Sequence, residues 1–204
     1  MTDKIILTER QQAIDICLKA CVNLYGFVTP RQFLKVFNRY NKPKMLKKEL
    51  LDNADILESV SGNYYEIYEN AIVNKRVNED TINRTIHMQN GKNYYTPSQE
   101  EVLLYSKANY YPQTVYTAKL MQVLTGKFKM NIFSANNFVT ELMWFTVTDE
   151  HMQKRINLLA RHNIALRNQT ELNSLVAIFQ DINNSTRKWA NCGYTPEELK
   201  KIAE

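Results

Sequence analysis

The chain has 204 residues, of which 44% are hydrophobic and 23% charged, and its formal net charge is +5. This balance is that of an ordinary folded protein with one large or two small domains, and it excludes a disordered chain. No apolar run approaches the roughly 18 residues of a membrane span. The start, Met1-Thr2-Asp3-Lys4, lacks the basic flank and apolar stretch of a signal peptide. We therefore expect a cytoplasmic protein.

The cysteine count indicates free thiols. There are three cysteines, and Cys17 and Cys21 lie one helical turn apart on an apolar face, while Cys192 is far along the chain. A metal site at this pair needs further ligands, and the three histidines are scattered at positions 87, 151 and 162. We expect neither a metal ion nor a cofactor.

Capping signals define the first elements. Apolar residues at three- and four-residue spacing predict a helix over Glu9–Leu24, which Gly26 ends. Phe27–Val28 is a short strand by composition. The sequence Thr29-Pro30-Arg31-Gln32 then begins a second helix, Pro30–Tyr40, because threonine caps the helix and proline suits its first position.

The next segment predicts a helix followed by a hairpin. A third helix from Pro43 to Asn53 is expected to bury Leu46 and Leu50 and to present three lysines. Two β-prone runs, Ile56–Val60 and Tyr64–Tyr68, flank the turn-forming residues Ser61-Gly62-Asn63. Helix, strand, helix, helix and hairpin is the order of a winged helix, in which the third helix usually enters the major groove.

Positive charge is concentrated on the second and third helices. Seven basic residues occur from Arg31 to Lys48, and no acidic residue follows until Glu49. A charge run usually only keeps a helix in water, and Glu58, Glu66 and Glu69 would repel phosphate. The position of the run on these helices nevertheless favours nucleic acid. The predicted contact residues are Arg31, Lys35, Arg39, Lys42, Lys44, Lys47, Lys48, Asn63 and Tyr64.

The remainder of the chain is expected to be helical. The predicted fold is mainly α, with an N-terminal winged helix (three helices plus a β-hairpin wing) followed by an all-α helical domain. The expected domains are residues 1–73, a linker over 74–95 with one short helix at 81–88, and residues 96–204. The helical domain carries predicted helices at 97–108, 112–125, 135–146, 149–162, 171–190 and 196–203.

Known catalytic motifs are missing from the sequence. There is no nucleophile elbow, phosphate-binding loop or His-Glu-x-x-His, and the chain contains only five glycines. His151, Arg155 and His162 share a predicted helix, but no carboxylates lie in register with them. Polar residues on the solvent-facing side of a helix explain this pattern best, so we expect no enzyme.

The segment from Asn183 to Leu199 is the most distinctive. It is expected to be a helix that buries Trp189, breaks at Gly193 and restarts at Thr195-Pro196. Polar side chains before the break satisfy the carbonyls that it leaves open. We interpret it as a structural signature, whose residues are Asn183, Asn184, Arg187, Trp189, Gly193, Thr195 and Pro196.

This segment resembles a family of uncharacterised proteins of low-GC Gram-positive bacteria and their phages. The similarity extends to Leu24-Tyr25-Gly26-Phe27-Val28-Thr29 and to the residues from Tyr94 to Leu103. In that family a SEC-C motif, a cysteine-rich zinc knuckle, commonly follows the segment. Cys192 is the one cysteine in the last hundred residues, so we expect this chain to lack the motif. The resemblance implies organisation and lineage and no particular activity.

Two functional hypotheses remain. The first is a non-enzymatic nucleic-acid-binding or regulatory protein that uses the basic winged helix on duplex DNA or a nucleoprotein. The alternative is a protein-interaction module, such as an adaptor or a phage or mobile-element inhibitor acting on a protein or nucleoprotein. Tyrosines are favoured interface anchors. The candidates are Tyr64, Tyr65, Tyr94, Tyr95, Tyr110 and Tyr111.

Overall fold

The protein is mainly α-helical, with a small three-stranded antiparallel sheet near its N-terminus. The computed structural model describes residues 6–203, so Met1-Thr2-Asp3-Lys4 lies outside the described residues. The chain divides into two compact units, one up to Tyr110 and one from Tyr111.

The first unit contains six helices and the sheet in its described part. Their bounds are α1 (Glu9–Tyr25), β1 (Phe27–Val28), α2 (Pro30–Tyr40), α3 (Lys47–Asp52), α4 (Ala54–Ser61), β2 (Tyr65–Ile67), β3 (Ile72–Asn74), α5 (Glu79–Gln89) and α6 (Gln99–Tyr105). The core is formed by buried side chains of these elements, the largest being Tyr25, Phe33, Phe37 and Tyr65.

The capping signals place the first two helices correctly. The Thr8 hydroxyl accepts a hydrogen bond from the Gln11 N–H, and Gly26, at φ 68°, ends α1. Thr29 caps α2 in the same way, with Pro30 in the first turn. Both predicted helices and the short strand between them are confirmed. Their boundaries can be predicted from sequence because each depends on interactions within one helical turn.

The strand predicted over Ile56–Val60 is wrong, because these residues lie in α4. Helical spacing places Ile56, Leu57 and Val60 on one side, and Leu57 is fully buried. Gly62, at φ 67°, ends this helix. A glycine with positive φ is common both at helix C-termini and in hairpin turns, so Gly62 alone does not distinguish the helix from the predicted hairpin.

The hairpin is formed one strand further along the chain. β2 pairs antiparallel with β3, and β3 also pairs with β1, so β3 is the central strand. The turn spans Tyr68 to Ala71 and is closed by a hydrogen bond of 2.7 Å from the Tyr68 N–H to the Ala71 carbonyl. Tyr64–Tyr68 therefore contributes the first strand of the hairpin and not its second.

The third helix begins later than predicted. α3 starts at Lys47, and Pro43 and Lys44 lie in the loop before it. Leu50 is buried as expected, but Leu46 is 74% exposed. Side chains of α1 and α2 hold the loop, and this tertiary contact overrides the helical periodicity.

The first unit extends beyond the expected boundary at residue 73. The expected linker 74–95 contains the last residue of the central strand β3 and a helix, α5, that is longer than the predicted one, and α6 after it packs on α1. Tyr94 packs edge-on against Tyr25 at 5.2 Å between ring centroids. Val102 and Tyr105 of α6 belong to the first core. The polar composition of the segment hid these contacts, because only a few of its residues are buried.

All secondary-structure elements in the described part of the second unit are helical. Its elements are α7 (Val115–Gln122), a π-turn (Val123–Lys127), α8 (Ile132–Val147), α9 (Met152–Arg161), α10 (Gln169–Ser185), a 3₁₀ turn (Trp189–Asn191) and α11 (Pro196–Ala203). Leu120, Phe138, Leu142, Leu158 and Phe179 lie in its core. The predicted α11 is confirmed at both ends, whereas α10 ends five residues before its predicted end.

Candidate nucleic-acid interface

Four of the predicted basic residues line one open surface depression of about 400 Å³, here called the basic depression. Its lining residues are Arg31, Leu34, Lys35, Asn38, Lys44 and Lys47. Three segments of the first unit contribute to it: α2, the loop between α2 and α3, and the first residue of α3.

Helix α2 places two cations on one side of the depression. Arg31 and Lys35 are four residues apart, so they lie on the same face of the helix. Its opposite face is fixed in the core by Phe33, Val36 and Phe37, which are at most 1% exposed. The helix therefore presents Arg31 and Lys35 to water.

Asn38 holds the other side of the depression in place. Its Nδ2 donates a hydrogen bond of 2.9 Å to the Met45 carbonyl, and its Oδ1 accepts one of 2.6 Å from the Met45 N–H. Met45 itself is 2% exposed. This double hydrogen bond anchors the loop to α2, which brings Lys44 to the depression. Sequence reasoning missed Asn38, since nothing in the sequence marks it as the partner of a residue seven positions on.

Arg10 of α1 contacts the loop and also pairs with Glu49, the first acidic residue after the basic run. Its guanidinium donates to the Pro43 carbonyl at 2.7 Å and forms a bidentate pair with Glu49, at 2.8 and 3.1 Å. The Arg10 guanidinium also lies 5.1 Å from the centre of the Phe37 ring. Glu49 is thus neutralised by Arg10, and its charge does not offset the lysines of the depression.

The cations of the depression are mostly unpaired. Lys47 lies 3.7 Å from a carboxylate oxygen of Glu69, which is 78% exposed, and donates to Asn70 at 3.3 Å. Among the described residues, Arg31, Lys35 and Lys44 form no ion pair. The depression therefore carries an excess positive charge that an external anion can neutralise.

The other predicted contact residues lie outside the depression's lining. Arg39, Lys42 and Lys48 are exposed, as is Asn63. Tyr64 packs against two cations, with Lys19 Nζ 5.4 Å and the Arg76 guanidinium 4.6 Å from its ring centre. This packing fixes Tyr64 within the first unit and does not place it at the depression.

The tyrosines proposed as surface anchors are packed against the protein. Tyr65 is 1% exposed, and its hydroxyl donates to Asp15 at 2.8 Å, while burial raises its pKa. Tyr95 donates to Glu101 at 2.6 Å. The remaining candidates are partly buried against the two cores: Tyr64, Tyr94, Tyr110 and Tyr111. Tyr65 is therefore not a surface residue, whereas the other five tyrosines are partly exposed, and their role as interface anchors stays a prediction.

The histidines of the second unit do not form a common site. His151 is exposed at the start of α9, whereas His162, past its end, lies 3.0 Å from Glu141. Within the described residues, no three His, Cys, Asp or Glu side chains are grouped as metal ligands. Cys17, Cys21 and Cys192 are buried free thiols, and the side-chain hydrogen bond between Cys17 and Cys21, together with burial, raises the pKa of Cys17.

The C-terminal signature builds a compact turn after α10. The Thr186 hydroxyl donates to the Ile182 carbonyl at 2.6 Å and ends the helix. Arg187 donates to the Gly193 carbonyl at 3.1 Å and to Glu198 at 2.8 Å. Thr195 and Glu198 form a reciprocal capping box at the start of α11, where Pro196 is the first residue. Gly193 has φ 83°, which favours glycine.

Trp189 is buried beside this turn, and Asn184 is half-buried. The Trp189 ring packs edge-on against Trp144 at 5.6 Å. These two residues are the only tryptophans of the chain, and both lie in the second unit. Tryptophan fluorescence therefore reports on that unit.

A second cationic group, here called the Asp149 cluster, was not visible in the sequence. It comprises Asp149, Arg155, Asn183 and Lys188. Lys188 Nζ lies 2.5 Å and Arg155 Nη2 3.9 Å from Asp149 Oδ1, and Arg155 Nη1 donates to Asn183 at 2.7 Å. Arg155 and Lys188 are 3% and 7% exposed, and burial lowers the pKa of Arg155. Most of this group's charge is paired inside the protein.

Comparison of the chain with protein-family models, with curated proteins and with solved structures gives no match. In the part of the chain that the structure describes, no helix combines the length and apolarity needed to cross a membrane.

Proposed function

We propose that the first unit is a winged helix that binds the phosphate backbone of duplex nucleic acid through the basic depression, as a non-enzymatic regulatory protein. The single observation that carries this proposal is the grouping of Arg31, Lys35 and Lys44 without a carboxylate partner among the described residues. Because Glu49 pairs with Arg10, the fold preserves this unbalanced charge.

The order of elements supports a winged helix. Helix α1, strand β1, helix α2, the short extra helix α3, helix α4 and a hairpin follow one another in the first unit. The hairpin turn Tyr68–Ala71 takes the place of the wing, and α4 takes the place of the helix that usually enters the major groove. Lys47 contacts Glu69 and Asn70 in this turn, so the wing position borders the basic depression.

The charges of α4 determine which contact with DNA we propose. Asp55 and Glu58 lie on this helix and would repel phosphate, and α4 carries no basic residue. Base recognition by α4 is therefore unfavourable. Contacts of α2 and the following loop with phosphate groups are the same for every base sequence, so we expect binding with little preference for the sequence of the DNA.

The test is the salt dependence of binding to a fluorescein-labelled duplex, measured by fluorescence anisotropy. Four cations that each displace a counterion give a slope of log affinity against log salt of roughly −3 to −4. The double variant Lys35→Glu/Lys44→Glu should lower the affinity at least about tenfold and reduce the slope by about 2.

The matched control is Lys200→Glu/Lys201→Glu, which changes the net charge equally at two exposed lysines of α11 in the second unit. If the control weakens binding as much as the depression variant, the protein binds DNA through its net charge alone and the depression is not the site. Absence of binding at low salt by the unaltered protein contradicts the proposal altogether.

One observation favours the alternative, a protein-interaction module such as an adaptor or inhibitor. Ile132 and Phe133, in the first turn of α8, are 63% and 72% exposed. Large adjacent apolar side chains at a surface are typical of interface anchors. If Phe133→Ser abolishes capture of a nuclease-resistant protein partner while DNA affinity stays unchanged, the second unit binds protein independently of nucleic acid.

We also propose the relationship to the SEC-C-associated family of low-GC Gram-positive bacteria and phages, on the residues of the C-terminal turn. Arg187, Trp189 and Gly193 have defined structural contacts in that turn. Other members of the family should therefore retain these residue types at the same spacing.

A further inference from the structure

The second unit contains a polar pocket of about 420 Å³ that the proposed function does not use. Its volume lies in the range of small-molecule sites. One wall is the segment that follows the π-turn, and the other is the segment from His162 to Glu171, which leads into α10.

The first wall is shaped by the π-turn. The Phe128 N–H donates to the Val123 carbonyl, and the Met130 N–H donates to the Leu124 carbonyl at 3.0 Å. These wide turns reverse the chain after α7. Lys129, which lies between the two donor residues, adopts φ 55°. Positive φ at residues other than glycine is enriched at functional sites. The result places Lys127, Phe128 and Lys129 along the pocket.

The pocket combines excess positive charge with apolar surface. Lys127 pairs with Glu171 at 3.2 Å, so these two charges cancel. Lys129 and Arg167 are exposed and form no ion pair within the described residues. Apolar lining comes from Phe128, Met130, Ile164 and Leu166.

Glu171 occupies the position where the walls meet. Its carboxylate accepts the Arg167 N–H at 2.8 Å, and this hydrogen bond lowers the pKa of the carboxyl group. Glu171 is therefore ionised at neutral pH, and it engages Lys127, which is otherwise positioned to contact a ligand.

From this arrangement we propose that the pocket binds a small organic anion, in which a phosphate or carboxylate group contacts Lys129 and Arg167 and an apolar body contacts Phe128 and Leu166. The site is contained in the second unit, so it is independent of the nucleic-acid interface proposed for the first.

The test is titration of the full chain by ¹H–¹⁵N NMR with five probes at millimolar concentration. Adenosine monophosphate and phenylacetate each combine an anionic group with a ring system. Adenosine and phenylacetamide are the corresponding neutral molecules, and inorganic phosphate is an anion without a ring system. We expect one or both organic anions to saturate and to shift the amides of residues 127–130 and 162–171. The neutral bodies and phosphate should bind at least about tenfold more weakly. Which anion binds distinguishes phosphate from carboxylate.

Three variants test the roles of the charges. Lys129→Gln/Arg167→Gln should weaken binding at least about tenfold, because two charge-assisted hydrogen bonds are lost. Lys200→Gln/Lys201→Gln, at exposed positions away from the pocket, should leave it unchanged. Glu171→Gln should strengthen binding several-fold, since it frees Lys127 and removes a negative charge. If Glu171 only held the pocket in shape, Glu171→Gln would instead weaken binding.

The proposal is overturned if neither organic anion saturates, or if the neutral bodies bind as tightly as their anions. It is equally overturned if the Lys129/Arg167 variant, still folded by its tryptophan fluorescence, keeps full affinity. DNA binding should be unaffected in all of these variants, so failure here and failure of the nucleic-acid proposal are distinguishable.

Discussion

The basic depression and the Asp149 cluster both contain cationic side chains, but the cations of the depression are exposed and mostly unpaired, whereas those of the cluster are buried and paired. In the depression, Arg31, Lys35 and Lys44 face water and have no ion pair among the described residues. In the cluster, Arg155 and Lys188 are buried and share Asp149. Burial of a charge is unfavourable unless it is paired, so the stability of the second unit depends on Asp149, the anion that both buried cations share.

The same difference explains what each region can do. Exposed, unpaired cations contribute little to stability but attract anions at long range. Buried, paired cations hold three segments together, since Asp149 precedes α9, Arg155 lies in it and Lys188 follows α10. We therefore expect substitutions in the cluster to change the free energy of unfolding and substitutions in the depression to change binding.

The largest effect on stability is expected for Asp149→Asn. Asparagine tolerates the positive φ of 57° at this position, so the change isolates the charge. Two nearly buried cations lose their shared anion, and we expect a loss of about 2–3 kcal/mol, below the 3–5 kcal/mol of a fully buried pair because Asp149 is partly exposed. Urea unfolding followed by tryptophan fluorescence measures it. Asp52→Asn, at an exposed position of α3, should leave that transition in place.

Asn38→Ala should lower the stability of the first unit by about 1–3 kcal/mol, because the buried Met45 N–H and carbonyl lose their partners. Faster hydrogen exchange in α2 and in the loop before α3 is the expected signature. Asn63→Ala, at an exposed residue, serves as the matched control. If Asn38→Ala left both exchange and DNA affinity unchanged, Asn38 would not position Lys44.

Removing one cation of the Asp149 cluster should matter much less than removing its anion. In Lys188→Met, Arg155 remains to neutralise Asp149, and methionine fills a similar volume. The free energy of unfolding should therefore change by less than about 1 kcal/mol in either direction. A loss as large as that of Asp149→Asn would show that Lys188 and Arg155 are not interchangeable partners of Asp149.

The smallest effect is expected for Lys35→Ala in the depression. Because Lys35 is exposed and unpaired among the described residues, its loss should alter stability by no more than about 0.5 kcal/mol. At low salt the variant should be slightly more stable than the unaltered protein, because repulsion between neighbouring cations is strongest there. At high salt the two free energies of unfolding should be equal. Thermal melts at two salt concentrations provide the comparison.

The sequence alone located the basic depression but not the Asp149 cluster. Arg31 and Lys35 lie one turn apart on α2, and Lys44 and Lys47 follow within the same short stretch of chain, where the Asn38–Met45 hydrogen bonds bring the loop beside α2. Asp149 and Lys188 are separated by 39 residues. Nothing in either neighbourhood indicates the other, because their contact depends on how α9 and α10 pack.

The amino-acid sequence by itself determined the elements whose signals are local. Thr8, Thr29 and Thr195 begin α1, α2 and α11, and Gly26 ends α1, because a cap is satisfied within one turn of the helix. Only the tertiary structure decided that residues 56–60 are helical, that β3 is the central strand, and that the loop at Met45 is held by Asn38. These outcomes depend on partners distant in the chain, whose burial and hydrogen bonds outweigh weak local preferences.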